Sequence, residues 1–238
     1  MNAIQYAPYC GDAPTPAELL TSWNFDPVLI MALLLAAALS IRLETRERIY
    51  WLAGIATLVV AFVSPLCALT SALFSARSVH HIVIVGLAAP LFAMALPRSS
   101  PGAFIAPLLA SSVVLWIWHW PVAYSAALES YLFYWSLQIA LLATFIWFWR
   151  AVLSPASHAG PALVALCASA GQMGLLAGIL TLAPRPLYDA HLFAPLAFGF
   201  DALRDQQLAG LVMWVPAFFI YAGFAIATGR RLELGAHA

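Results

Sequence analysis

Residues 77 to 92 read RSVHHIVIVGLAAPLF, an apolar run that opens with an arginine and two adjacent histidines. From Ile82 onward the run has the composition of a membrane-spanning helix. Polar side chains at the mouth of such a segment need partners, because an unpartnered buried polar group costs ~1–3 kcal/mol. The stretch therefore predicts a membrane protein with a polar site at one end of its helices.

The composition of the whole chain indicates the same environment. Of its 238 residues, 64% are hydrophobic and only 8% are charged, whereas soluble domains are about half apolar and a quarter charged. The formal net charge is zero, which argues against nucleic acid as a partner. The chain contains no G-x-S-x-G, H-E-x-x-H or phosphate-binding loop motif, so we expect neither a hydrolase nor a nucleotide-driven pump, and no enzyme.

Seven apolar stretches are separated by breaks, and each is about 16 to 22 residues long, near the ~20 that cross a bilayer. Because every backbone N–H and C=O group must be paired inside lipid, we expect an all-α, polytopic membrane protein with seven transmembrane helices. The stretch AFVSPLCALTSALFSA, residues 61–76, either extends the second helix or forms an outer loop. The predicted spans are 27–42, 50–66, 79–96, 103–119, 131–150, 161–182 and 207–228.

The arginines predict the direction of the chain, because cytoplasmic loops are rich in basic residues. With the N-terminus outside and the C-terminus inside, seven arginines lie inside and three outside. We expect an extracytoplasmic tail over 1–26, a transmembrane domain over 27–228 and a cytoplasmic tail over 229–238. The extracytoplasmic tail lacks the basic residues with which a signal peptide starts. The inner arginines are Arg42, Arg46, Arg48, Arg98, Arg150, Arg230 and Arg231; the outer ones are Arg77, Arg185 and Arg204.

Four of the six histidines fall on the outer side in this topology: His80, His81, His119 and His191. His158 and His237 fall on the inner side. His80 and His81 start the third predicted helix and point about 100° apart, so one of them alone faces a given neighbour squarely. His119 ends the fourth helix at the same depth, and two imidazoles at one depth can share a metal ion.

The sequence WIWHWP around His119, residues 116–121, has a second interpretation. Its three tryptophans, Trp116, Trp118 and Trp120, suit an aromatic belt at the membrane surface, with Pro121 ending the helix. In that case His119 would be an incidental residue of an anchor.

The loop before the seventh helix is long, and long loops often carry function. Asp205 lies at the start of that helix, where the dipole favours an anion, so it can be a cap or part of the site. Gln207, Gly210, Met213 and Trp214 follow on roughly one face. On the sixth helix Gly174 and Gly178 form a small-xxx-small pair for helix packing. A disulfide between Cys10 and Cys67 is possible, but the spacing does not require it, so the sequence leaves this pairing undecided.

Several stretches together resemble the CtaG family of bacterial cytochrome c oxidase assembly proteins, the seven-helix type. They are WNFDP (23–27), LFSARSVHHIVIVGLAAPLFAMALP (73–97), WIWHWPVAYSAAL (116–128), LAPRPLYDAH (182–191) and, most specifically, DQQLAGLVMWVP (205–216). The resemblance covers nearly the whole length. Where the family pattern is His-Met-x-Gln-His, this chain has Arg77-Ser78-Val79-His80-His81, so the first histidine and the methionine are replaced and His80 stands in place of the glutamine.

The resemblance implies an assembly factor for cytochrome c oxidase in the bacterial inner membrane that assists copper delivery at the outer side. The expected partners are a haem–copper oxidase subunit or another copper chaperone, together with membrane lipid. Copper is the expected metal. Its candidate ligands are His81, His119, His80, Asp205, Met213 and His191, and the polar site includes Gln206, Gln207 and Arg77.

Two other functions fit the same residues. Histidines from two helices could ligate haem b in an electron carrier. Alternatively, the chain could be a metal-free scaffold for an oxidase subunit, in which the polar side chains hold helices together at about 0.6 kcal/mol each.

Overall fold

The structure, a computed structural model, describes residues 8–96, 104–154 and 157–236, with side chains as far as 230. All regular structure in these ranges is helical, which confirms the all-α class. Residues 1–7 of the predicted tail, 97–103 with Arg98, and His237 lie outside the described residues. The helices are α1 Pro27–Leu39, α2 Thr45–Phe62, α3 Pro65–Ala72, α4 Phe74–Ala95, α5 Ile105–His119, α6 Pro121–Glu129, α7 Tyr131–Leu153, α8 Ala159–Leu182 and α9 Ala202–Ala236.

Among the described residues, four helices are long and apolar enough to cross a membrane: α4, α7, α8 and α9. The number rises to six if each of two bent helix pairs is one span, and α1 with its 3-10 extension, Pro27–Arg42, is a shorter apolar helix. Each predicted span overlaps one of these elements, but α2, α4 and α9 begin five residues earlier than predicted and α9 ends eight residues later. Four to six candidate spans are therefore present, while seven spans and their orientation stay predictions.

Both helix bends occur where a proline opens the following helix. Pro65 begins α3 after a bend of 43°, and Pro121 begins α6 after a bend of 74°. Proline is favoured in the first helical turn because its missing N–H has no intrahelical partner there. Residues 61–76 thus belong neither to a straight extension of α2 nor to a loop, since they contain the separate helix α3.

A single π-helical turn interrupts α4 at Val83–Ala88, just after the histidines. In a π-turn the carbonyl of Val85 would accept from residue 90, but Pro90 has no N–H. The indole N–H of Trp149 on α7 donates to that carbonyl instead, at 2.7 Å. The Trp149 side chain on α7 therefore supplies the hydrogen bond to the Val85 carbonyl that Pro90 cannot make.

Helices α8 and α9 pack together closely, and Gly210 explains how. A Cβ on Gly210 would contact the Thr181 hydroxyl and would approach the Ala177 carbonyl oxygen to 2.6 Å. At Gly178 a Cβ would meet nothing within 4 Å, and at Gly174 it would meet only the Trp214 indole at 3.8 Å. The glycine required for close packing is therefore on α9, not the small-residue pair predicted on α8.

The described part of the N-terminal tail folds onto the helices. Cys10 forms a disulfide with Cys67 on α3, the pairing that the sequence left open. The Tyr9 ring stacks on that of Tyr134 at 5.4 Å, and Asn24 N–H donates to the Val63 carbonyl at 2.9 Å. We call the end of the bundle that carries this bridge the disulfide end.

Candidate functional site

Three imidazoles lie together near the disulfide end, buried among α2, α4 and α5. His80 and His81 on α4 have ring centroids 5.8 Å apart, and the His81 ring is 5.4 Å from that of His119 on α5. The three residues are between 0% and 5% exposed. We call His80, His81 and His119 the histidine cluster, and it brings together three of the predicted metal ligands.

The two adjacent histidines turn to different neighbours, as their spacing predicts. His80 packs edge-on against Phe62 of α2 at 4.8 Å, whereas His81 packs against Trp118 of α5 at the same distance. The sequence predicted that these histidines start the helix, and this prediction was wrong. Helix α4 begins six residues before His80, at Phe74. Both rings consequently lie inside the helix bundle.

Most ring nitrogens of the cluster have no protein partner. Neither nitrogen of His80 or His81 makes a hydrogen bond among the described residues, and the same holds for Nε2 of His119. His119 Nδ1 lies 2.8 Å from the Leu115 carbonyl oxygen, so this nitrogen carries the proton in neutral imidazole and Nε2 keeps its lone pair. Buried nitrogens with free lone pairs are expensive unless a ligand binds them.

The spacing of His81 and His119 suits a shared ion. Metal–imidazole bonds of ~2 Å allow two rings on one ion to have centroids up to about 6.5 Å apart. The 5.4 Å separation lies within that limit. Within the described ranges, however, no group of three or more His, Cys, Asp or Glu side chains could hold a metal ion.

Aromatic side chains pack around the cluster, with Phe62 against His80 and Trp118 against His81. Trp118 is completely buried beside His81, so it is a core residue and not part of a surface belt. Trp116 is half-buried and donates to Gln172 Oε1 at 2.8 Å. Only Trp120 is exposed as a belt residue would be, at 60%.

Arg77, one turn before His81, is fully buried without an acidic partner among the described residues. Its guanidinium lies 5.6 Å from the ring of Tyr134 and 5.8 Å from that of Trp118, and Nη1 donates to the Tyr134 hydroxyl at 3.5 Å. Cation–π contacts of this kind offset part of the cost of burying the charge. The cluster therefore sits next to a permanent positive charge.

His191 is buried near the cluster but is engaged elsewhere. Its Nε2 lies 2.6 Å from the Tyr124 hydroxyl and its Nδ1 lies 3.3 Å from the Ala72 carbonyl oxygen. Burial lowers the pKa of His191 to about 4, opposed by the Ala72 hydrogen bond and assisted by the charge of Arg77. With both nitrogens partnered, His191 holds the loop between α8 and α9 against α3 and α6.

Asp205 caps a different helix from the one predicted. It lies in the first turn of α9, yet its carboxylate accepts from the backbone N–H groups of Phe74 and Ser75 at the start of α4, at 2.6 and 3.2 Å. The Ser75 hydroxyl donates to it as well. These contacts occupy the carboxylate and fix the first turn of the helix that carries His80 and His81.

The remaining polar candidates lie along α9. Gln206 accepts from Leu187 N–H at 2.7 Å and donates to the Leu180 carbonyl at 3.3 Å, which ties the loop to the end of α8. Gln207 is half-buried. Met213 is buried in the core, whereas Trp214 beside it is 53% exposed. The residues predicted to share one face of α9 therefore do not share one environment, since Met213 faces the core and Trp214 faces outward.

Comparison with known protein families identifies the family of the chain. The family model of the cytochrome c oxidase caa3 assembly factor (CtaG) matches residues 29–232. The chain belongs to this family. The match includes every residue of the histidine cluster as well as Asp205 and His191. The chain matches no curated protein and no solved structure.

Sequence reasoning missed the residues that position the cluster in this CtaG chain. The Tyr188 hydroxyl donates to the His119 carbonyl at 2.7 Å, and its ring stacks on Phe74 at 3.9 Å. Tyr124 and Tyr134 surround Arg77. Tyr124 and Tyr188 lie within the quoted stretches WIWHWPVAYSAAL and LAPRPLYDAH, but their partners are far away along the chain.

Proposed function

We propose that this oxidase assembly factor holds copper as cargo between His81 and His119 and passes it to its partner at the outer face of the bacterial inner membrane. The observation that supports this is the buried imidazole pair at 5.4 Å, from two helices, with lone pairs that no described residue uses. Imidazole suits copper, and an ion with few protein ligands is easily handed on. The chain acts without catalysing a reaction.

The disulfide supports the proposed side of the membrane. Cys10 and Cys67 lie at the same end of the bundle as the histidine cluster, and disulfides persist in oxidising compartments. The arginine distribution predicts the same direction. The proposed partner, a haem–copper oxidase subunit or a second copper chaperone, would supply the donors that complete the coordination.

The buried charge of Arg77 makes the choice of copper ion specific. A divalent ion beside a buried guanidinium suffers stronger repulsion than a monovalent ion at equal distance. Cu(I) also accepts low coordination numbers, which fits a pair of imidazoles. We therefore propose Cu(I) as the bound form, with His80 available as a third nitrogen after a change of side-chain orientation.

Copper binding by the purified full chain tests the proposal. Cu(I) is titrated in reducing buffer against a chromogenic chelator, with the wild type expected to retain one copper per chain. His81→Ala and His119→Ala should each abolish retention, while the control His158→Ala, exposed at the start of α8, should not change it. A wild-type chain that takes up no copper would overturn the proposal.

Assembly in cells separates the copper proposal from the metal-free scaffold. In a strain that lacks the endogenous protein, the His81→Ala chain should leave the oxidase without full activity although the chain is present in the membrane. Full oxidase activity with this variant would favour the scaffold. Visible absorption tests haem b: a purified chain with a Soret band would favour the electron carrier, in which both imidazoles bind one iron.

A further inference from the structure

A cavity of about 700 Å³ lies between α1, α2, α4 and α7, and none of the clustered histidines lines it. This volume is typical of sites for small organic ligands. Its lining runs along α7 from Tyr131 to Ile146, a distance of ~22 Å at 1.5 Å per residue. The cavity is therefore long enough for an extended hydrocarbon chain lying along the helices.

The lining is apolar except at two levels. Tyr9, Asp26 and Tyr131 lie where the cavity approaches the disulfide end. Burial raises the pKa of Tyr9 to about 12, so this phenol is neutral, and the Asp26 carboxylate accepts from the N–H groups of Val28 and Leu29. No arginine, lysine or histidine is among the described residues that line the cavity. A ligand with an anionic head would have no cation to bind.

Gln138 supplies the second polar level. Its side chain lines the cavity and is only 2% exposed, yet neither its amide oxygen nor its amide nitrogen has a hydrogen-bond partner among the described residues. An amide buried in this way loses free energy unless a ligand supplies an acceptor and a donor. Gln138 lies seven residues into α7, ~10 Å from its start.

That depth excludes the head of an ordinary phospholipid, which stays at the membrane surface. Four further aromatic side chains line the cavity as two pairs: Phe62 with Trp135, and Trp51 with Phe92, which lies ~16 Å away along α2. Trp135 is one turn from Gln138 on the same face of α7 and stacks with Phe62 at 5.1 Å. A flat aromatic surface beside a buried amide suits a planar ring that bears carbonyl groups.

We propose that this cavity binds a membrane quinone: a neutral ring held by Gln138 against the Phe62–Trp135 pair, with its isoprenoid tail along α7. The amide nitrogen of Gln138 donates to a quinone carbonyl, and its oxygen accepts from a quinol hydroxyl, so both redox forms bind. Phe62 contacts this cavity and the His80 ring at once. The proposal does not depend on copper, since a chain without copper would keep the cavity.

Decylubiquinone binding to the full chain in phosphatidylcholine nanodiscs tests the proposal. Quinones quench tryptophan fluorescence, and Trp51 and Trp135 line the cavity. The wild type should show saturable quenching. Gln138→Leu should weaken binding at least tenfold, whereas Gln172→Leu, a matched change on α8 outside the cavity lining, should leave it unchanged. Ala32→Trp, which fills the cavity from α1, should remove the saturable phase.

A competing probe without carbonyl groups distinguishes a quinone site from a groove for lipid chains. Decylbenzene, which has no quinone ring to quench tryptophan, should relieve the quenching only at concentrations at least tenfold above that of decylubiquinone. Equal competition by decylbenzene, or equal quinone affinity of the wild type and Gln138→Leu, would overturn the proposal in favour of bulk lipid chains. Quenching that never saturates would overturn it as well. Gln138→Leu should fold normally, because it removes an unpartnered buried amide.

Discussion

Asp205 at the start of α9 caps α4, since its carboxylate accepts from the backbone N–H of Phe74 at 2.6 Å. The two residues are 131 positions apart. This contact joins the start of the last helix to the start of the helix that carries two of the three clustered histidines. The carboxylate that the sequence placed among copper ligands therefore has a structural role that it can fill without metal.

Replacing Asp205 should reduce stability more than copper binding. Asp205→Ala leaves the N–H groups of Phe74 and Ser75 without their acceptor, which costs ~1–3 kcal/mol. Thermal unfolding in detergent should show a lower Tm, while copper retention at low temperature should persist. An unchanged Tm together with complete loss of copper would instead identify Asp205 as a ligand.

Trp149 should stabilise the π-turn through its indole N–H. Trp149→Phe keeps most of the buried ring but removes the donor to the Val85 carbonyl, at a cost of ~1–3 kcal/mol. The matched control is Trp147→Phe, since Trp147 is 49% exposed on the same helix. Tm should fall for the first variant and stay nearly constant for the second; equal shifts would contradict the assigned hydrogen bond.

Gly210 should be the least replaceable glycine of the α8–α9 interface. Gly210→Ala places a methyl group against Thr181 and the Ala177 carbonyl, so the helices must separate. Gly178→Ala meets open space and gains up to ~1 kcal/mol of helix propensity. The Tm of Gly210→Ala should be lower than that of the wild type, and the Tm of Gly178→Ala should be equal to that of the wild type or higher. The reverse order would be inconsistent with the described packing.

His191 should make the chain sensitive to acid. Its folded pKa of about 4 lies below the ordinary value of 6.5, so the unfolded chain takes up the proton first. The stability that neutral His191 contributes is present above pH 6.5 and is lost as pH falls toward 4. His191→Phe should lower Tm at pH 7.5 but flatten its decline between pH 6.5 and 4.5. If the Tm of His191→Phe fell as steeply as that of the wild type, the acid sensitivity would belong to other groups.

The helices could be predicted from the sequence because lipid requires long apolar runs with prolines and charges at their ends. Phe74, Ser75 and Arg77 were still excluded from the third predicted helix, since polar residues normally mark a helix boundary. Here the Asp205 carboxylate and the aromatic side chains around Arg77 offset that polarity, so α4 begins earlier.

The sequence placed His81 and His119 on the same side of the membrane, and their rings lie 5.4 Å apart; that they share a metal ion stays a prediction. The partners of the other candidate residues could not be predicted, because those partners come from distant parts of the chain. Nothing local to His191 predicts Tyr124 as its partner, and nothing local to Asp205 predicts Phe74. Trp118 was misjudged for the same reason, since an outward tryptophan and a buried one look alike in the sequence.

X-ray absorption at the copper edge of the Cu(I)-loaded chain tests the central claim most directly. The account predicts a nearest shell of nitrogen at ~2 Å, with the multiple scattering of two imidazoles, one of which disappears in His119→Ala loaded at high copper concentration. A shell dominated by sulfur, or a spectrum that is the same in His119→Ala, would contradict it.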